Sequence, residues 1–327
     1  MTYVTTPAED ASGRAAPDGP LCELLCALGD HGYSFVTVSP ETHARVNRRP
    51  GNAWARDLRG VFGWSRRFRP GLVPAELLRL MDAAGVLDRD GGTLRSRVRV
   101  SGLGGRLFVH SAFPTLDPAA VFFGPDTYRT TSACLTHVAH LAYGSRPVRR
   151  IADIGCGTGA IGLTVAARCP GAELVLVDVN EAALRFARVN AAVAGLDGRS
   201  AAVRSDLLRD VDGDFDLIVS NPPFMIDPLG RRYRDGGAPG YGLPVRVAEA
   251  AVARLRPGGS LVMFSGTGVV DGVDPLRREL EQRLSGKDLD WSYTEVDPDV
   301  YDEELDTPAY RDAERIALAV LTVEWSA

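Results

Sequence analysis

Lysine is nearly absent from this chain: of 37 basic residues, only Lys287 is not arginine. Cysteine is scarce and odd in number, five residues without framework spacing, which excludes a disulfide-built scaffold and implies a reduced, cytoplasmic protein. No apolar run is long enough to cross a bilayer, so no membrane partner is expected. The N-terminus lacks a basic region followed by an apolar stretch, so no secretory signal is expected. Internal repeats are missing. A net charge of −5 argues against a protein whose whole surface tracks nucleic acid. Cys22 and Cys26, like His137 and His140, are spaced for one helix face, yet neither pair has companion ligands at zinc-like spacing. Core packing is the reading for the cysteines, and no metal is expected.

What is present suits an ordinary globular protein, with 45% hydrophobic and 24% charged residues over 327 positions, enough for two cores. Residues 1–19, rich in Ala, Pro, Gly and Asp, read as a flexible tail. Residues 20–118 read as an N-terminal domain with helices over LCELLCALGDHG, SPETHARVNR, 53–63 and 72–87. The period then switches to two in TLRSRVRV and RLFVHSAF, a hairpin joined by Gly102–Gly105. Helices followed by a hairpin resemble a winged-helix module, which implies dimerisation, hence a possible homodimer, or a cover over substrate. Within it, Arg45, Arg48, Arg49, Arg56, Arg59, Arg66, Arg67 and Arg69 share one stretch with Trp54, Phe62, Trp64 and Phe68. Two readings stay open there: a grip on RNA through phosphates and stacking, or a solvated basic face over core aromatics.

Residues 119–327 form the second domain. A helix at 130–143 precedes alternating apolar strands and amphipathic helices, which predicts an α/β fold with a mostly parallel sheet covered on both faces. A final apolar strand after a long loop suits an antiparallel addition. Ligands of such sheets bind beyond the carboxyl ends of the strands. There lie the loop of Gly155, Cys156, Gly157 and Gly159 with Asp153 before it, Asp178, Val179 and Asn180 after the second strand, and Ser205, Asp206 and Leu207 after the third. Glycines let the backbone run alongside a ligand. Asp178 and Asp206 can each accept from hydroxyl or amino donors of a ligand there, and Asn180 offers an amide beside them. Asp153 can orient the loop or meet an ammonium through water. Asn221-Pro222-Pro223-Phe224 ends the strand FDLIVSN. A planar NH2 has a delocalised lone pair, and the Asn221 amide oxygen with the Pro222 carbonyl can accept both its hydrogens and free that pair. Phe224 can stack on the planar group.

The Gly loop and the Asn-Pro-Pro-Phe motif, in this order, resemble a class I S-adenosylmethionine-dependent methyltransferase acting on nitrogen. That resemblance implies a Rossmann-like fold with a seven-stranded sheet, S-adenosyl-L-methionine as cofactor and S-adenosyl-L-homocysteine as product. For that cofactor it implies that Asp178 accepts from both ribose hydroxyls, Asn180 meets the adenine edge and Asp206 accepts from the adenine amino group. GPDTYRTTS at 124–132 is similar to the Pro-x-Thr-Glu segment of HemK-type glutamine N-methyltransferases, with Thr127 matching and Tyr128 in the Glu position. DGGAPGYGL at 235–243 resembles that family's Gly-rich loop. Both resemblances imply closure over cofactor, by Thr127, and substrate, by Tyr128.

Glu295, Asp297, Asp299, Asp302, Glu303, Glu304 and Asp306 form an acidic stretch before the last strand. Glu303 and Glu304 there suit a guanidinium, holding it and taking its proton, with Tyr301 and Tyr310 adding stacking. The chain also resembles stand-alone arginine N-methyltransferases of antibiotic pathways such as streptozotocin assembly. The favoured expectation is therefore a small guanidino or amide metabolite such as free L-arginine. Methylation of a ribosomal RNA base or of a protein glutamine are the alternatives, and a non-catalytic, cofactor-sensing winged-helix protein is the alternative of another class.

Overall fold

Strands that are apolar on both faces, such as Leu174–Val177, cannot leave one face in water, and helices must cover them. The computed structural model of the protein describes residues 18–144, 146–237 and 239–326, and its C-terminal part has that build. A seven-stranded sheet has the order β10-β11-β9-β8-β5-β6-β7. Its strands are β5 (Arg150–Ile154), β6 (Glu173–Asp178), β7 (Ser200–Arg204), β8 (Phe215–Ser220), β9 (Leu255–Val269), β10 (Leu289–Asp297) and β11 (Arg315–Trp325). Strands β7, β6, β5, β8 and β9 run parallel. The last strand, β11, is antiparallel to both β9 and β10, between which it lies. Helices α5 (Pro125–Tyr143), α6 (Ala160–Ala166) and α7 (Glu181–Val193) cover one face, and α8 (Gly242–Val252) and α9 (Pro275–Leu284) the other. The strand order reverses between β5 and β8, so the loops after these two strands diverge and leave a crevice. The Gly loop follows one of them and Asn221 the other.

The N-terminal part holds α1 (Gly19–Asp30), α2 (Pro40–Asn47), α3 (Leu58–Phe62) and α4 (Ala75–Ala83), then β1 (Leu87–Asp90), β2 (Thr93–Ser96), β3 (Val98–Leu103) and β4 (Arg106–Ser111). It departs from expectation at several points. The tail lies outside the described residues except for Asp18 and Gly19, where Asp18 already caps α1 by accepting the Leu21 N–H. The helix expected over 53–63 is only α3, because Asp57 caps it from within by accepting the Gly60 N–H at 2.7 Å. The helix expected over 72–87 starts after Pro74 and ends before Gly85, whose φ of +67° breaks it. In place of one hairpin there are two. Gly91 and Gly92, both at positive φ, turn β1 back onto β2. Ser96 then bonds across to both backbone groups of Val98 and redirects the chain into β3, which pairs with β4. Helix α5 begins at Pro125, five residues earlier than expected, since proline suits the first helical turn. Cys26 is exposed rather than in the core. Among the described residues no helix is long and apolar enough to cross a membrane.

The two parts share one core. Ala183, Phe186 and Val189 of α7 pack into the cluster built by Leu21, Leu24, Leu28, Phe62 and Leu77. Buried Asn190 fastens the joint: its amide oxygen accepts the Val109 N–H at 2.9 Å, and its NH2 donates to Val109 and, at 2.8 Å, to Thr158 in the Gly loop.

Candidate active site

At the end of β5 the chain must turn sharply to enter α6. Gly155, Gly157 and Gly159 all sit at positive φ, +67°, +52° and +73°, which L side chains resist. A Cβ on Gly155 would meet nothing within 4 Å, so open space lies beside that backbone. Asp178, at the tip of β6, braces the loop: its two carboxylate oxygens accept the N–H groups of Gly157 at 2.9 Å and Asn180 at 2.8 Å. Burial raises its pKa while these bonds oppose the rise.

These residues surround a cavity of about 390 Å³, within the ~300–1,000 Å³ usual for small-molecule and cofactor sites. Thr127, Gly155, Cys156, Gly157, Asp178, Val179, Asn180, Ser205, Asp206, Leu207 and Asn221 line it. Asp153 and Gly159 do not. Asp153 is fully buried beneath the loop, where its Oδ2 accepts the Gly162 N–H at 2.9 Å and its Oδ1 has no partner among the described residues. Burial pushes its carboxyl up to about 7. Asp153 therefore supports the loop from below. Gly159 caps α6 with its Cα turned toward Leu163 and Leu176.

Several lining side chains already have work. Thr127 Oγ1 accepts the Gly124 N–H at 3.3 Å at the start of α5. The Asn180 amide caps α7 at Ala182 and donates to Ala119 O, so it has little left for an adenine edge. Asp206 lies 3.2 Å from the Arg246 guanidinium and 3.0 Å from that of Arg209. Arg246, Arg232 and Tyr233 also line the cavity. No periodicity or motif singled them out, because they come from α8 and from the loop after the Asn-Pro-Pro-Phe motif.

A second cavity of about 800 Å³ opens on the other side of that motif. Phe122, Asn221, Pro222, Pro223 and Tyr233 line both cavities. Asn221 Oδ1 is buried without a hydrogen-bond partner among the described residues, an acceptor held in a wall that the two spaces share. Phe122 and Tyr233 stack beside it with ring centroids 5.3 Å apart. Phe224 lines only the second cavity and is 7% exposed. Its ring packs over Gly266, where a Cβ would come within 2.6 Å, and lies 6.3 Å from Tyr301. The broad aromatic surface at the junction thus belongs to Phe122 and Tyr233 more than to Phe224.

The far wall of the second cavity is α2, through Glu41, Thr42 and Arg45, with Arg48 just beyond its end, together with Val300–Glu304. Glu303 and Glu304 line it, but they are not equivalent. Glu304 is ion-paired with Arg234. Glu303 is pushed up to about 7, first by burial and then by Glu41. The acidic stretch is otherwise largely occupied: Glu295 meets Arg315 at 3.0 Å and Asp297 meets Arg129 at 3.2 Å, both from β10 rather than from a loop. The Tyr301 hydroxyl donates to buried Asp126, and that of Tyr310 bonds the Ile226 N–H at 2.9 Å. Tyr128 lines neither cavity. Its hydroxyl accepts the Thr37 N–H at 3.0 Å and its ring abuts Phe123, so it joins the two parts of the chain where a substrate contact was expected.

Residues 120–268 match the family model described as Methyltransferase small domain. A release factor glutamine methyltransferase of Bradyrhizobium diazoefficiens is 35% identical over 238 residues, covering 69% of this chain and 76% of that protein. A ribosomal RNA small subunit methyltransferase C of Chromohalobacter salexigens is 34% identical over 46% of this chain and 41% of that protein. Among solved structures, a T. thermophilus 16S rRNA N2 G1207 methyltransferase in complex with AdoMet and guanosine aligns at 18% identity and a TM-score of 0.44, over 79% of this chain and 63% of that one.

Proposed function

The chain belongs to the class I methyltransferase family that includes the release factor glutamine methyltransferases, and from that premise we propose that it methylates a planar NH2 nitrogen carried by a macromolecule. It is an S-adenosylmethionine-dependent enzyme. The smaller cavity fits that cofactor: a glycine-walled cradle, a carboxylate at the β6 tip and acceptors after β7. When bound there, the cofactor supplies a methyl group on a sulfonium, open to in-line attack.

The observation that carries the reading is Asn221 Oδ1 in the shared wall, buried and without a partner among the described residues. A buried carbonyl oxygen without a donor is costly, and an NH2 reaching in from the larger cavity relieves that cost. With the Pro222 carbonyl taking the second hydrogen, the nitrogen lone pair turns toward the cofactor. Phe122 and Tyr233 hold the plane of the group, and Pro223 closes the other side. The acceptor loses one proton to solvent as the methyl arrives.

The side-chain amide of a protein glutamine is the first acceptor, supported by the relative that shares most of its length with this chain. An exocyclic amine of an RNA base is the second, favoured by the arginines that continue outward from the cavity. Free arginine has less support, because Glu304 is already paired with Arg234. The test is transfer from methyl-labelled cofactor into a lysate split into protein, RNA and small-molecule fractions. Label in protein or RNA is the expected result. Label confined to the small-molecule pool, and enhanced by added arginine, would reverse the choice.

A further inference from the structure

We infer that the arginine surface around α2 and residues 48–69 is a docking track for single-stranded RNA that leads to the larger cavity. Between Thr42 and Ala75 the chain has eight arginines and one acid, Asp57, a local charge of +7 in a protein of net charge −5. Elsewhere arginines are routinely matched with carboxylates, as at Arg129, Arg185, Arg231, Arg254 and Arg283. None of these eight has an ion pair among the described residues, and all but Arg66 are exposed. A folded protein gains nothing from seven unmatched, crowded cations, which repel one another. A polyanion supplies the missing charge.

The track is continuous in space. Trp54 bridges to Arg67, and Ala55 N–H donates to Arg67 O at 2.8 Å, so the loop after α2 lies beside residues 66–69. Asn47 at the end of α2 donates to Trp64 O and accepts from Arg66, both at 2.9 Å. Arg45 and Arg48 then carry the charge to the wall of the cavity itself. The carboxylates Glu41 and Glu303 stand at the inner end, so a phosphate chain follows the outer surface while only a base turns inward. Phe62 and Phe68 are fully buried and serve the core, but Trp54 is 39% exposed with the Arg69 guanidinium 5.2 Å above its ring. An accessible indole amid unmatched arginines offers a stacking platform as well as charge, which favours RNA over an acidic protein.

Docking itself does not depend on the acceptor; only the delivery of a base to Asn221 rests on the second of the two acceptors proposed above. The probe is a fluorescein-labelled single-stranded 20-nucleotide RNA of mixed sequence, followed by anisotropy from 50 to 200 mM KCl with the full chain. Replacing Arg49, Arg56, Arg67 and Arg69 together by Gln should weaken binding at least roughly tenfold and lower the salt slope by about 3, each lost phosphate contact contributing ~0.7. The four-fold Lys variant should keep most of that slope. Trp54→Ala should weaken binding roughly tenfold at unchanged slope. Asn221→Ala should bind the RNA as the parent does, which separates failure of docking from failure of the catalytic reading. Unchanged affinity in the four-fold Gln variant, with cofactor binding intact as proof of folding, would overturn the inference. So would polyaspartate competing for the surface as well as RNA of equal charge, which would make it a site for acidic protein.

Discussion

Asp178 Oδ2 accepts the Gly157 N–H at 2.9 Å, so the carboxylate at the tip of β6 holds the glycine loop of β5 in place. Its other oxygen accepts from Asn180. The same side chain lines the cavity proposed for the cofactor, so on that proposal loop geometry and cofactor recognition depend on one residue. Asp178→Ala should raise the cofactor Kd at least roughly tenfold, from charge-assisted bonds of about 1.5–3 kcal/mol. Asp178→Asn should lose nearly as much, because its NH2 must face one of two backbone donors. Calorimetric titration with cofactor measures both, and an Asn variant with parental affinity would contradict this role.

Asp153 should make stability fall as pH rises from about 4 to about 7. Its folded pKa is raised to about 7 from an ordinary 3.8, through burial. Between these values the folded state holds a proton that the unfolded chain has released, so its stabilising effect is complete below about 4 and gone above about 7. Asp153→Asn should keep the acceptor for Gly162 and flatten the decline in Tm from pH 4 to 7. A decline as steep as the parent's would assign it to other groups.

Tyr128→Phe removes the acceptor of the Thr37 N–H. The expected cost is about 1 kcal/mol in chemical denaturation, with the Michaelis constant for the true acceptor unchanged. A raised Michaelis constant at parental stability would return Tyr128 to the substrate site.

Gly236 sits where the loop after Asn-Pro-Pro-Phe folds back on the motif. Its N–H donates to Met225 O at 2.8 Å, and a Cβ there would stand 2.8 Å from both Phe224 Cα and Pro223 O. These are backbone contacts that cannot rotate away. Gly236→Ala should cut methyl transfer at least roughly a hundredfold while cofactor binding persists, since displacement of about 1 Å at reacting groups has such effects. Parental activity would show that the loop does not set the motif's position.

The parallel sheet was legible because each buried strand is an unbroken apolar run, and β5 and β8 carry short motifs at their ends. Regions where pairing is decided by turns were harder to read. β1 is Leu-Asp-Arg-Asp, polar enough to pass for a loop, and it is a strand only because Gly91 and Gly92 fold it against β2. The site divides the same way. Glycines and carboxylates at strand ends follow from fold geometry, so Gly155, Asp178 and Asp206 could be placed on the crevice. Phe122, Tyr233 and Arg246 come from separate segments with no local pattern. The acidic stretch misled because sequence shows charge without partners: Arg234, Arg129 and Arg315 reach it from distant elements.

The central claim rests on Asn221, and its substitution by Ala is the most direct measurement. Transfer of labelled methyl to the macromolecular fraction should fall at least roughly a hundredfold, as for loss of a preorganised hydrogen-bonding group, while the cofactor Kd stays within about twofold. Transfer persisting near the parental rate in the Ala variant would contradict the account.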